Sequence, residues 1–267
     1  MTATFYSDDI GTKMACNELL ANVFKVKSVG IFSATVRAVE VEIASQGGND
    51  EFTKLLLHGD GTDGSTSFSD SSSSNHTFSK TRRTVRISTS KSKFGGSSIY
   101  FNNGYAIPAP SASADWDFGT GDWTIDFWFY SDSEADGLSG YLPLWYSGGE
   151  NSVSGVFVGL RSKRLYFQST SSYTFVDASD LQTSIWHHIA VSRKNNNVYS
   201  FVDGKLVGTT NVTSSLSMNR TYGPWIGAVW GAPSTSAGWE GYIDEFRLSK
   251  GIARWISDFT PSGRPYN

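Results

Sequence analysis

A lone cysteine, Cys16, can close no disulfide within the chain, so no oxidative framework holds this fold together. The usual disulfide-dense secreted domain is thereby excluded, whereas assembly in a reducing cytoplasm is not. Long apolar runs are also missing. Nowhere do about 18 apolar residues stand together, so no membrane span is expected. The opening stretch MTATFYSDDIGTK lacks a cationic start and an apolar core, so no signal peptide is expected either. Excess positive charge is absent: the net charge is −3, and the cluster Lys80, Arg82, Arg83, Arg86 is balanced by acids elsewhere. A nucleic-acid partner is not indicated. No repeat of 20–50 residues recurs, which argues against solenoids and propellers.

Aromatics and glycine are plentiful instead: 9 Trp, 12 Tyr, 17 Phe and 27 Gly suit pleated strands joined by tight turns. The chain changes character near residue 50. Before it, VEVEI alternates as a half-buried strand should, and ACNELLANVFKV places Leu19, Leu20, Val23 and Phe24 as either a short helix or a strand. SQGGND then reads as a linker. Residues 1–50 form an extension too small to stand alone, expected to anchor or assemble, and residues 51–267 form the main domain.

That main domain reads as β throughout. In GDWTIDFWFYSD, Trp123, Ile125, Phe127 and Phe129 fall on one face and Thr124, Asp126, Trp128 and Tyr130 on the other. SSIYFNNGYAIPA predicts two strands around an Asn102-Asn103-Gly104 hairpin turn. WHHIAVSRKNNNVYSFVDGKLVG predicts a meander through two tight turns, with His187 and His188 on opposite faces, one inward and one solvated. Many short strands separated by turn signals indicate a sandwich or barrel.

Four landmarks, KFGGSSIYFNNGYA, GDWTIDFWFY, WHHIAVSR…VYSFVDGKLVG and GYIDEFRLSKGIARW…FTP, stand in one order along the chain. Together they resemble the concanavalin A-like, laminin-G-type jelly rolls, and especially the branch found in structural proteins of tailed bacteriophages. The resemblance covers roughly 52–266 and leaves the N-terminal extension aside. It implies an all-β jelly-roll sandwich of two antiparallel sheets.

It also frames the chemistry. Glycosidases of this fold use two carboxylates on one strand face, and a retaining pair stands roughly 5–5.5 Å apart. Adjacent strand residues point to opposite faces, so Asp244 and Glu245 should not pair. On that alternation Ile243 and Glu245 share one face, Asp244 and Phe246 the other. Asp126 stands alone, with aromatics where partners would be. No catalytic residues are expected, and the chain reads as a non-enzyme.

A structural calcium is the better-supported cofactor. It needs six to eight oxygens, and the loop HGDGTDGSTSFSDSS offers Asp60, Asp63 and Asp70 among glycines. Folds of this type often place their first and last strands side by side, which would bring Asp244 to Asp60. The competing reading is that these acids cap turns. For carbohydrate, WIGAVWGAPSTSAGW supplies Trp225, Trp230 and Trp239, read either as core or, with Trp230 foremost, as a stacking platform.

The expected role is a non-catalytic virion protein of a tailed phage, displayed on the head as decoration or fibre or on the tail for adhesion. Its partners would be other virion proteins, with homo-oligomeric assembly in which Val39, Val41 and Ile43 of VEVEI join a partner's sheet edge. The alternatives are a calcium-dependent lectin for cell-surface glycans and, behind it, a glycoside hydrolase.

Overall fold

The computed structural model describes residues 26–32, 35–41, 48–78, 85–102, 107–108, 113–131, 141–147, 155–161, 164–169, 172–176, 181–216, 224–227 and 240–267. The chain divides into two units, 1–48 and 49–267. In the first, β1 (Val26–Phe32) and β2 (Thr35–Val41) pair antiparallel, with Val26 opposite Val41 and Ser28 opposite Val39. Val39 and Val41 thus pair within the chain. Ile43 and the stretch from Leu19 to Phe24 lie outside the described residues.

The second unit is a jelly-roll sandwich of two antiparallel sheets. The larger contains β3 (Thr53–Leu57), β4 (Arg86–Ser88), β5 (Ser98–Phe101), β7 (Trp123–Ser131), β12 (Trp186–Lys194), β13 (Asn197–Val202), β14 (Lys205–Asn211) and β16 (Gly241–Lys250). Their order is β14-β13-β12-β7-β16-β5-β4, with β3 also paired to β16. The smaller sheet has β6 (Ile107–Pro108), β8 (Tyr141–Ser147), β9 (Val156–Arg161), β10 (Arg164–Ser169), β11 (Ser172–Val176) and β15 (Trp225–Ile226), in the order β11-β10-β9-β8-β15-β6. The one described helix is a single 3-10 turn, Ala114–Trp116.

The two inner faces make the core. Trp123, Ile125, Phe127 and Phe129 of β7 enter it with Ile189 and Val191 of β12, Ile243, Phe246 and Leu248 of β16, and Trp145, Val158 and Phe167 of the smaller sheet. This is the alternation read from GDWTIDFWFY. Trp123 and Trp145 are fully buried, and truncating either to alanine would cost roughly 3–5 kcal/mol.

The outer face of β7 is buried as well, because two segments lie over it. Residues 251–267, which contain no strand, form a C-terminal strap: Trp255 packs on Ala190 and Phe201 and stacks on Phe259 at 4.0 Å. The turn around Lys93 and Phe94 covers Trp128, with Lys93 Nζ 3.8 Å from the centre of the Trp128 ring.

The meander forms as expected through β12, β13 and β14. Asp203 and Gly204 both take positive φ, 50° and 77°, as a two-residue hairpin turn requires. The two strands expected to pair around Asn102-Asn103-Gly104 lie in different sheets, and Asn103 and Gly104 themselves lie outside the described residues. β5 pairs with β4 and β16 in the larger sheet, whereas β6 pairs with β15 in the smaller one. An Asn-Gly signal in the sequence is silent about which sheet receives the next strand. The serine-rich loop contributes to the interior, since Phe68 reaches the core and Asp70 is buried.

Candidate functional site

The site begins with a division of labour along one edge of β16. For its whole length β16 pairs with β7. On its other edge it meets β5 over Gly241–Ile243 and β3 over Phe246–Ser249. The end of β3 and the start of β5 therefore converge beside Asp244 and Glu245. The chain leaves β3 as His58-Gly59-Asp60-Gly61 and enters β5 from Gly95-Gly96-Ser97. Ser97 Oγ knits the two by accepting from Gly61 N at 3.1 Å and donating to Gly59 O at 3.1 Å. At Gly95, with φ 61°, a Cβ would stand 2.0 Å from Asp60 Oδ1, so the Asp60 carboxylate rests directly on this glycine.

At the same point β16 carries a β-bulge. Asp244 lies opposite Trp128 and Arg247 opposite Asp126, so Glu245 and Phe246 together face the single residue Phe127. Glu245 supplies the extra residue by adopting φ 50°. The simple alternation expected for GYIDEFRLS is thereby overturned. Ile243 and Phe246 both enter the core, and Asp244 shares the outer side with Arg247.

Asp244 is 0% exposed. Its Oδ2 accepts from Lys93 N at 2.7 Å and Phe94 N at 3.1 Å, while Oδ1 is buried with no hydrogen-bond partner among the described residues. Burial pushes its pKa up to about 7, and the charges of Glu245 and Asp60 add to that push against the two amide bonds. His58 sits beside this group, with Nδ1 2.8 Å from Glu245 Oε1, and that bond holds its pKa above the usual value. The neighbouring carboxylates of Asp60 and Asp244 act in the same direction.

Of the four carboxylates expected to ligate a metal, Asp60 lies near enough to Asp244 for its charge to push the Asp244 pKa up. The other two are engaged as turn anchors. Asp63 Oδ1 accepts from Thr89 N. Asp70 takes donors from Leu56 N, Ser72 N, Ser72 Oγ and His76 N on its two oxygens. Among the described residues no three His, Cys, Asp or Glu side chains come together as a ligand set. Trp225 is half-buried in β15 with its indole N–H unpaired. Trp230 and Trp239 lie outside the described residues.

Asp126 occupies the outer face two strand positions from Asp244's partner and is also 0% exposed. Arg247 grips both its oxygens at 3.0 Å, Tyr266 OH donates to Oδ2 at 2.7 Å, and His188 Nε2 lies 3.6 Å away. Although burial opposes ionisation, Arg247 and His188 hold its pKa far below the usual carboxylate range. The two histidines of β12 are both buried, against the expectation that one would be solvated. His187 bonds Asp203 through Nδ1 at 2.7 Å, and His188 Nε2 lies 3.2 Å from Tyr266 OH under the strap. Sequence reasoning missed Arg247, Tyr266 and the Lys93 and Phe94 amides, whose roles depend on contacts made across the whole domain.

A two-sheet jelly roll with its first strand paired to its last defines the class: a concanavalin A-like sandwich. The family model described as the concanavalin A-like lectin/glucanases superfamily, of laminin-G type, matches residues 96–253, and the chain belongs to that family. No curated protein matches the chain. Among solved structures it is similar to the botulinum neurotoxin serotype G binding domain, at 14% identity and TM-score 0.54, covering 76% of this chain and 49% of that one. The serotype D binding domain gives 12% identity and TM-score 0.55 over 76% of this chain and 49% of that one. Domain 4 of AbnA, a GH43 extracellular arabinanase from Geobacillus stearothermophilus solved with arabinotriose, gives 17% and 0.54 over 76% and 95%. The chain spans about half the length of the neurotoxin binding domains it matches. At these identities the likeness is one of fold. Among the described residues no helix is long and apolar enough to cross a membrane.

Proposed function

We propose that this chain is a non-catalytic, calcium-stabilised jelly-roll module displayed on the particle of a tailed phage, with residues 1–50 as its attachment segment. The observation that carries the non-catalytic reading is the state of Asp126. A glycosidase of this fold needs a pair of accessible carboxylates, and Asp126 is sealed between Arg247, Tyr266 and His188. The phage reading is supported by the order of the four landmarks from KFGGSS to FTP. Homo-oligomeric assembly with other virion proteins belongs to the same reading.

The calcium reading is supported by the buried, unpartnered Oδ1 of Asp244 beside Asp60. An ionised oxygen cut off from water and from donors is costly unless a cation meets it. Asp244 and Asp60 would hold the ion, with carbonyl and water oxygens completing the six to eight that calcium takes. Bound there, calcium supplies charge neutralisation and cross-links the exit of β3, the entry of β5 and the β16 bulge.

Immunogold labelling of particles from the source culture, with antibody raised against residues 51–267, tests the display reading. Gold on heads or tails is the expected result, and its position separates decoration from adhesion. Particles without gold would overturn it. A second reading, a calcium-dependent lectin, draws on the arabinotriose in complex with the AbnA domain. Saccharide-selective binding on a glycan array that disappears with chelator would bring that reading to the front.

A further inference from the structure

Glutamate is an unexpected residue for a left-handed backbone position, and such a conformation persists only where the surroundings over-determine it. Glu245 holds φ 50° at the β16 bulge and is 1% exposed. Its two oxygens serve different parts of the molecule. Oε1 lies 2.8 Å from His58 Nδ1, at the exit of β3, and Oε2 accepts from Tyr266 N at 2.8 Å, near the end of the C-terminal strap. One peptide bond away, Asp244 takes the Lys93 and Phe94 amides on Oδ2, keeps Oδ1 buried with no partner among the described residues, and feels the charge of Asp60.

Tyr266 is the strap's innermost anchor. Its hydroxyl donates to Asp126 at 2.7 Å, and its ring lies 3.7 Å from the Arg247 guanidinium carbon. Among the described residues its amide has no backbone acceptor. That amide is held by the Glu245 carboxylate, which stands where it does only because the bulge turns it outward. The bulge therefore places two successive acids so that one keeps a buried oxygen with no partner among the described residues and the other holds the strap.

We infer that Glu245 is a positioning residue that ties the C-terminal strap to the cation site, so that a cation held by Asp244 and Asp60 clamps the strap over the outer face of the larger sheet. The coupling runs through the Asp244–Glu245 peptide bond and, in parallel, through the short segment from Asp60 back to His58. It rests on the calcium reading above. The element being biased is the strap: closed, it buries Asp126, His188 and Arg247, and lifted, it would uncover them.

Hydrogen exchange of the full chain, with calcium chloride or with chelator, tests this, while titration calorimetry on the same samples reports whether calcium binds. In the wild type, saturating calcium should slow exchange of the Tyr266 amide by about tenfold or more. The Phe259 amide, bonded to Gly204 O, serves as the reference within the strap. Glu245→Gly removes the carboxylate yet suits φ 50°, so the fold is kept; calcium should still bind and the slowing should vanish. Glu245→Gln retains an acceptor for the amide and should retain the slowing. Calcium that binds without slowing Tyr266, or that slows it equally in Glu245→Gly, overturns the inference and leaves the cation reading standing. Absence of calcium binding overturns both.

Discussion

Asp126 and Asp244 lie on neighbouring strands of one sheet face, both wholly buried, and they end in opposite electrical states. Asp126 has a bidentate arginine, a tyrosine hydroxyl and a histidine around it, and it stays ionised far into acid. Asp244 has two amide donors on one oxygen and nothing on the other, and its pKa climbs to about 7. Burial alone pushes both upward. The difference lies in the partner: a fixed guanidinium compensates the first charge, while two neighbouring acids aggravate the second. The lesson is that a buried carboxylate reports its role by what it lacks. Asp126 is complete and structural; Asp244 keeps one buried oxygen with no partner among the described residues, which is where the proposed cation would act.

Breaking the complete one should cost most. Asp126→Ala deprives the buried Arg247 guanidinium of its bidentate carboxylate and removes the acceptor of the Tyr266 hydroxyl. A loss of about 3–5 kcal/mol in denaturant unfolding is expected. A loss below about 1 kcal/mol, the scale of an exposed ion pair, would show that the network is more open than described. Asp244→Asn should do the reverse of damage in the absence of calcium, because it removes the charge that burial penalises. What it removes is the response to metal. At a hundred times its dissociation constant, calcium should stabilise the wild type by about 2.7 kcal/mol. Chelator should reverse the shift, and Asp244→Asn should show none. A melting temperature indifferent to calcium and chelator in the wild type would place Asp244 in the same structural class as Asp126.

Much of this contrast was legible beforehand, and its limits have physical causes. Alternation in GDWTIDFWFY separates the core face of β7 from the outer one because a strand has a strict period of two. The meeting of Asp60 with Asp244 follows once the first strand is taken to pair with the last. The bulge was not legible. It adds one residue to β16 without leaving any mark in the hydrophobic pattern, and a glutamate gives no hint of φ 50°. The partners of Asp126 come from 121 and 140 residues away along the chain, which no local pattern reaches. His187 and His188 were read as straddling a boundary with solvent. The strap adds a third layer there, and alternation describes two faces without saying what covers each. The pairing expected around Asn102-Asn103-Gly104 failed for a related reason: a turn signal does not say which sheet the next strand joins. Asp63 and Asp70 show the ambiguity of short acids in glycine loops, where a ligand and a turn cap require the same residue.

The smallest effect is the one that sets the two carboxylates most sharply apart. Between about pH 4, where an ordinary aspartate titrates, and about pH 7, the folded chain keeps a proton on Asp244 that the unfolded chain has released. Folded protein binds more protons there, so stability falls as pH rises through that window. Taking calcium-free protein from pH 8 to pH 6 should therefore gain about 1 kcal/mol from this group. His58 works in the same direction. Its pKa is raised in the fold, so its contribution is full below its ordinary value of 6.5 and is lost as pH rises through the folded value. Asp126 contributes nothing to this slope, since its lowered pKa keeps it ionised in both states from pH 6 to 8, and its stabilisation fades only in acid. Unfolding curves at pH 8 and pH 6 with chelator, for the wild type and Asp244→Asn, measure the difference. The substitution should remove most of the gain and leave the His58 share. A wild-type curve that is flat, or that falls on acidification, would mean that Asp244 already has its partner within the fold.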